Sequence, residues 1–310
     1  MIYFFLVLFA LFFGVIEGIS EWLLISSTGH MILFDEVLRL CHFDLDKELG
    51  FVHGETFMSL FLVVVQFGAI LAVVIYFFKK LWPFTPLPKG EDGLALPLEE
   101  AKAIQKKNNK TIWIRWGKTL LGILPAAVIG LIFELLDWED QLSNWICVGL
   151  TLIVYGVLFL IMEFLIAKGK FTSKYKSIDD LPWKTAFLIG CFQVLALLPG
   201  TSRSGVTILG ALLLLTNRET AAEYSFYLSI PVMAGASLLK TVRYFAKIGS
   251  LCLNEWIFLG VGTLVSFGVS LLVVRWLMSF LKKHTFKGFG YYRIALGVVV
   301  LLVFGISSCV

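Results

Sequence analysis

Six apolar stretches, at roughly 56–78, 117–136, 145–167, 224–246, 255–281 and 291–309, carry little or no charge. A hydrocarbon core demands about 20 apolar helical residues, so each stretch reads as a transmembrane helix. A soluble fold of this size has no interior large enough for six such segments. Composition points the same way: 58% of the 310 residues are hydrophobic, 15% are charged, and mean hydropathy is +0.87. An ordinary soluble domain is about 25% charged. A cytosolic globular enzyme, a disordered chain and a nucleic-acid-binding domain are excluded, leaving an all-α integral membrane protein. The net charge of +4 is mild and implies no polyanion partner. Cys41, Cys147, Cys191, Cys252 and Cys309 show no paired spacing and read as small apolar core residues. Met1 to Ile16 lacks Lys and Arg, so this segment reads as mature structure rather than a signal peptide.

Two further apolar regions, 1–40 and 183–216, hold a dense polar string in their middle. The first contains Glu17, Glu21, Ser26, Ser27, Thr28, Gly29 and His30; the second contains Gln193, Pro199, Gly200, Thr201, Ser202, Arg203, Ser204, Gly205 and Thr207. Pro-Gly interrupts helical hydrogen bonding. Broken backbone at membrane depth is tolerated only inside protein or beside a watery cavity. Both regions are therefore expected to be re-entrant helix hairpins.

Charge placement orients the chain by the positive-inside rule. Loop 79–118 holds nine Lys and Arg, among them Lys79, Lys80, Arg115 and Lys118; loop 168–184 and loop 282–293 add nine more, including Lys176, Lys282 and Arg293. All three are expected to be cytoplasmic. Loop 137–144, with Asp137, Glu139 and Asp140, and the acidic segment 35–55 are expected outside. Lys240, Arg243 and Lys247 fit this scheme poorly, landing near the outer face. His42, His53 and His284 are expected in loops, and Glu163 and Arg275 near span ends, where snorkelling accounts for them.

The two polar strings match. Ser26-Ser27-Thr28-Gly29 lies 176 positions before Ser202-Arg203-Ser204-Gly205, and that offset also pairs Gly14 with Gly190, Glu17 with Gln193 and Ile32 with Ile208. An offset of 168 pairs Glu55 with Glu223, Tyr76 with Tyr244 and Phe77 with Phe245. Each half reads as one re-entrant hairpin plus three spans. Three is odd, so the second half is expected upside down, an inverted-topology repeat. The expected units are residues 1–167 (hairpin 1–40, cytoplasmic loop 79–116), a cytoplasmic linker 168–182, and residues 183–310 (hairpin 183–216). The hairpin tips are expected to meet near the midplane.

Glu17 and Glu21 are four apart and share a helix face. A bare carboxylate in the bilayer costs about 2.5–3.5 kcal/mol. The pair is expected to share a proton or to bind a hard divalent cation, Mg²⁺ or Ca²⁺. Ser27 beside His30 suggests a nucleophile and its base. Arg203 at midplane depth needs an anion, either a phosphate or, in a purely structural role, Glu17 or Glu21.

These residues resemble a known family. Glu17-Gly18-Ile19-Ser20-Glu21 is similar to its acidic motif, Ser26-Ser27-Thr28-Gly29-His30 to its SSTGH string, and Pro199-Gly200-Thr201-Ser202-Arg203-Ser204-Gly205 to its PGTSRSG motif. The family is undecaprenyl-diphosphate phosphatase, the bacitracin-resistance protein. The resemblance covers nearly the whole chain except 85–112, a segment expected to be a cytoplasmic loop. It implies hydrolysis of undecaprenyl diphosphate to the monophosphate, a divalent cation, a bacterial inner-membrane location and a site open to the periplasm. It places Ser27, His30, Glu21 and Arg203 in catalysis and Glu17 with Glu21 on the metal. Ser26, Thr28, Gly29, Thr201, Ser202, Ser204, Gly205 and Thr207 would line the substrate. The partners are a polyprenyl diphosphate lipid and the membrane, with a homodimer left open and no nucleic acid. One departure stands out: the family carries Pro before the serines, where this chain has Leu24, so the first hairpin is expected to break less sharply. The competing class is a lipid-phosphate flippase or anion secondary transporter, built on the same inverted architecture.

Overall fold

The computed structural model describes residues 2–41, 43–89, 96–136 and 144–307. His42, Gly90, Cys309 and the acidic trio Asp137, Glu139 and Asp140 lie outside the described residues, as does the side chain of Glu55. The described chain is helical: α1 (Ile2–Ser20), α2 (Ser27–Leu40), α3 (Leu45–Leu49), α4 (Gly54–Tyr76), α5 (Phe78–Leu81), α6 (Leu98–Leu135), α7 (Trp145–Ala167), α8 (Trp183–Gln193), α9 (Arg203–Leu213), α10 (Arg218–Ile248), α11 (Leu253–Phe280) and α12 (Lys287–Ser307). Seven of these are long and apolar enough to cross a membrane. Six fall on the six expected stretches, and α1 is the seventh. Exposed side chains such as Leu120, Leu124 and Val128 on α6 or Leu150 and Val154 on α7 are apolar, as a lipid-facing surface requires.

Close helix approach sets the depth of the two broken segments. A side chain at Gly18 would press on the Ser266 carbonyl and Val269 of α11, and one at Gly190 on α8 would collide with the backbone of Gly122 on α6. Small residues at such crossings let membrane helices pack backbone to backbone. The register places Ser20 opposite the middle of α11, so α1 stops about ten residues, or ~15 Å, before α11 does. From there α2 turns back toward the α1 start, where Leu38 packs with Leu45, Leu49 and Leu251. At 11 residues each, α8 and α9 extend only ~16 Å and cannot span.

The first break is as sharp as the second, contrary to what Leu24 in place of Pro suggests. Leu24 and Ser26 have φ of 63° and 68°, and their counterparts Gly200 and Ser202 have 85° and 65°. Leu24 reaches the left-handed region, from which the proline ring is barred. Its side chain is fully buried in the core with Trp22, Val206, Ile208 and Phe226, and that packing holds the strained backbone.

The basic segments gather at one face. Arg115 makes a two-pronged ion pair with Asp179 at 2.6 Å, Lys118 donates to the Ile178 and Asp179 carbonyls, and Lys80 pairs with Glu223 at 2.7 Å. Arg115 thereby holds the Asp179 carboxyl below its ordinary range. The opposite face carries Glu255, fully buried, which accepts from the backbone N–H groups of Val52, His53 and Cys252 and from the His53 ring.

Three further expectations need correction. Residues 98–116 are not loop, because α6 begins directly after Pro97 and runs unbroken for 38 residues. Pro before the first turn and Glu99 and Glu100 within it are favourable start signals. Glu163 does not snorkel: it is buried, receives Arg218 Nε at 2.9 Å and accepts from the Phe286 N–H at 2.9 Å. Arg293 is no loop cation either, since α12 starts at Lys287 and draws it two turns inward. Glu163→Ala would strand the guanidinium and the Phe286 N–H, at a cost of about 1–3 kcal/mol. A thermal midpoint in detergent equal to wild type would refute that expectation.

Candidate active site

Glu21 is where the two breaks meet. Its N–H still bonds the Glu17 carbonyl at 3.0 Å, so one further turn keeps Glu17 and Glu21 on one face although α1 ends at Ser20. One carboxylate oxygen, Oε1, receives Arg203 Nη2 at 2.9 Å, and the other, Oε2, receives the Ser27 hydroxyl at 3.2 Å. The Glu21 carbonyl accepts from the Ser204 hydroxyl at 3.0 Å. Glu21 and Arg203 are 11% and 12% exposed at their side chains, reachable but largely dry.

The two helices that begin here are capped alike. Ser26 and Ser202 both adopt the left-handed conformation, and each hydroxyl accepts from the N–H three residues on, of Gly29 and Gly205 respectively, at 3.3 Å. Non-glycine residues in that region cost about 1–3 kcal/mol and concentrate at functional sites. Ser27 and Arg203, the first residues of α2 and α9, both touch Glu21. Two helix N-termini therefore converge on one point, an arrangement suited to a polyanion.

The remaining residues divide. Ser202 and Ser204 lie 3.2 Å apart at the tip, Thr28 is exposed, and Gly29 and Gly205 are buried at the caps. Thr201 gives its hydroxyl to the Leu198 carbonyl, while Thr207 bonds the Arg203 and Ser204 carbonyls and the Ser225 hydroxyl. Both therefore brace the second break and the first turn of α9. His30 makes no hydrogen bond to Ser27. Its Nδ1 is 2.8 Å from the Ser26 carbonyl, which must accept, so the proton is assigned to Nδ1; the neutral ring then takes the Tyr292 hydroxyl on Nε2 at 2.8 Å. Glu17 is buried with Oε1 unpartnered, and its repeat counterpart Gln193 is buried with both amide atoms unpartnered.

Sequence reasoning missed Arg293, Tyr292 and Trp22. Arg293 is fully buried and donates to the Leu24, Gly200 and Thr201 carbonyls at 2.7–2.9 Å, tying both breaks together. A signal was present, because position 293 falls inside the apolar stretch 291–309, and an intramembrane Arg is a functional candidate by default. Trp22 lies beneath the Arg203 guanidinium, 6.0 Å from ring to Cζ.

The family model for bacitracin resistance protein BacA matches residues 10–299. The undecaprenyl-diphosphatase of Lactiplantibacillus plantarum is 44% identical over 94% of this chain and 95% of its own length. That of Acetivibrio thermocellus is 47% identical over 95% and 96%, and undecaprenyl-diphosphatase 1 of Clostridioides difficile is 46% identical over 95% of both chains. All three names are those of hydrolases rather than carriers.

Proposed function

The chain belongs to the bacitracin resistance protein BacA family, and on that basis we propose that it hydrolyses undecaprenyl diphosphate to undecaprenyl phosphate and inorganic phosphate, recycling the lipid carrier for cell-wall synthesis. One observation carries the site assignment: Ser27 and Arg203, each opening a helix, hold the two oxygens of a single largely buried carboxylate.

Arg203 and the free N–H groups of α2 and α9 bind the diphosphate oxygens. Ser27 Oγ attacks the terminal phosphorus, and its proton passes to Glu21 Oε2, to which it is already bonded. The bond from that phosphorus to the bridging oxygen breaks, and undecaprenyl phosphate departs with the electron pair. Water then hydrolyses the phosphoserine and releases phosphate. Ser202 and Ser204 hold the substrate from the second tip. In the alternative route water attacks directly, and His30 accepts its proton on Nε2 after exchanging Tyr292 for that water.

Glu17 and Glu21 fit a divalent cation, Mg²⁺ or Ca²⁺. The buried Glu17 Oε1 has no partner, and among the described residues no group of three or more His, Cys, Asp or Glu offers a fuller cage. Two carboxylates plus substrate phosphates are the usual Mg²⁺ arrangement. Such an ion supplies charge neutralisation at the transferred phosphoryl group. The positive-inside rule supports a cytoplasmic basic face and a periplasmic opening in a bacterial inner membrane. The matched tips, entered from opposite faces, support reading the halves as inverted repeats.

Purified protein in detergent, where no gradient exists, is expected to release free phosphate from undecaprenyl diphosphate. No release from a competent substrate would leave a carrier as the better reading. Ser27→Ala is expected to lower kcat by about 10³-fold or more. Near-wild-type turnover in that variant would assign the attack to water.

A further inference from the structure

A cavity lies at the far end of α9 from Arg203, about 11 residues or ~16 Å along the helix. Its volume is about 340 Å³, and it is bordered by the C-terminal ends of α7 and α9, the linker at 171–176 and the start of α10. Backbone bonds fix the walls: Lys174 and Tyr175 donate to the Leu215 carbonyl, and Asn217 donates to the Tyr175 carbonyl. The floor is apolar, from Ile166, Phe171, Leu212 and Leu215, while Thr172, Ser173, Lys176, Thr216 and Arg218 supply polar groups.

Three features of this cavity suit an anion. Lys176 is exposed at its edge and makes no ion pair among the described residues. Arg218 is held in place by the buried Glu163 yet keeps 27% of its side chain exposed. The N-terminus of the 31-residue α10 opens here, with Asn217 capping only the Thr220 N–H. Thr216 adds an independent sign of a ligand: the residue borders the cavity at 4% exposure, and its hydroxyl, buried just behind the cavity wall, has no partner. A buried hydroxyl left unsatisfied costs about 1–3 kcal/mol, which a bound acceptor removes. The cavity is far larger than one water needs.

We propose that this cavity is a second phosphate-binding site, on the basic face and separate from Glu21, that takes a phosphate group either free or as the head of an amphiphile. Lys176 and the α10 N-terminus bind its oxygens, Thr216 donates a hydrogen bond, and the apolar floor accommodates the first carbons of an attached chain.

The test is phosphate binding to the full-length protein in nanodiscs, in an Arg203→Ala background that silences the first site. Inorganic phosphate and farnesyl phosphate serve as probes, read by calorimetry. At least one probe is expected to bind, and adding Lys176→Gln is expected to weaken it at least about tenfold. Lys176 is exposed, so that variant leaves the fold intact; Thr216→Val should weaken binding in the same direction. Binding of farnesyl phosphate alone assigns a lipid head, and equal binding of both assigns free phosphate. Binding of neither probe, or binding indifferent to Lys176→Gln, overturns the proposal. In the otherwise wild-type protein Lys176→Gln should remove one class of sites whatever Arg203 does, so failure here is distinguishable from failure of the Glu21 site.

Discussion

Arg203→Ala is expected to cut phosphate release by about 10³-fold or more, with Arg203→Lys recovering little of it. A guanidinium that neutralises charge on a transferring phosphoryl group is worth about 10³–10⁵ in rate. Lys cannot reproduce the planar fork that grips two phosphate oxygens at once. The competing role is structural, since Arg203 already pairs with Glu21 at 2.9 Å in a largely dry setting. Breaking such a pair strands a carboxylate and lowers stability on its own. The double variant Arg203→Ala with Glu21→Gln separates stability from the clamp, because no charge is then left unpaired. If Arg203 is only a brace, folded Arg203→Ala protein turns over at the wild-type rate in a single-turnover assay. If it clamps the diphosphate, folded Arg203→Ala protein stays slow in that assay, while the double variant, which lacks the Glu21 carboxylate in any case, serves only to show that the thermal midpoint returns.

Much of this architecture was legible from rarity. In a chain this apolar, a polar residue inside a hydrophobic run marks itself. The two strings at 17–30 and 193–207 stood out for that reason, and the fold brings them together at Glu21. The spans were legible because a membrane demands one length and one chemistry. Two kinds of feature were not. Backbone breaks depend on conformation as well as residue type: Leu24 carries no turn signal, yet it takes the same left-handed place as Gly200. Partners distant in sequence are also hidden. Glu163 looks like a span-end charge until α10 brings Arg218 to it, 55 positions away. His30 looks like the partner of Ser27, three residues before it. That spacing puts them on one helix face, but the ring is engaged instead by the Ser26 carbonyl and Tyr292.

Arg293→Met is expected to cost about 3–5 kcal/mol of stability, the range for removing one side of a buried polar network. Three carbonyls, of Leu24, Gly200 and Thr201, would lose their donor in a site that excludes water, at about 1–3 kcal/mol for each left unsatisfied. Measured against a total of about 5–15 kcal/mol, this threatens folding outright. The more informative variant is therefore Arg293→Lys, which keeps the charge and bonds to some of the carbonyls. Arg293 reaches one break through Leu24 and the other through Gly200 and Thr201, and it makes no hydrogen bond to Glu21 or Ser27. Its expected effect on chemistry is positional: it sets where the first tip lies against the second, and hence the reach from Ser27 and Arg203 to one phosphate. A misplacement near 1 Å can cost about 10²-fold. In folded Arg293→Lys protein, kcat should fall while KM changes little. If that variant loses stability but each folded molecule keeps the wild-type kcat, Arg293 is a staple and nothing more. The two breaks would then hold their mutual register through the Ser204 bond to the Glu21 carbonyl and the Arg203–Glu21 ion pair.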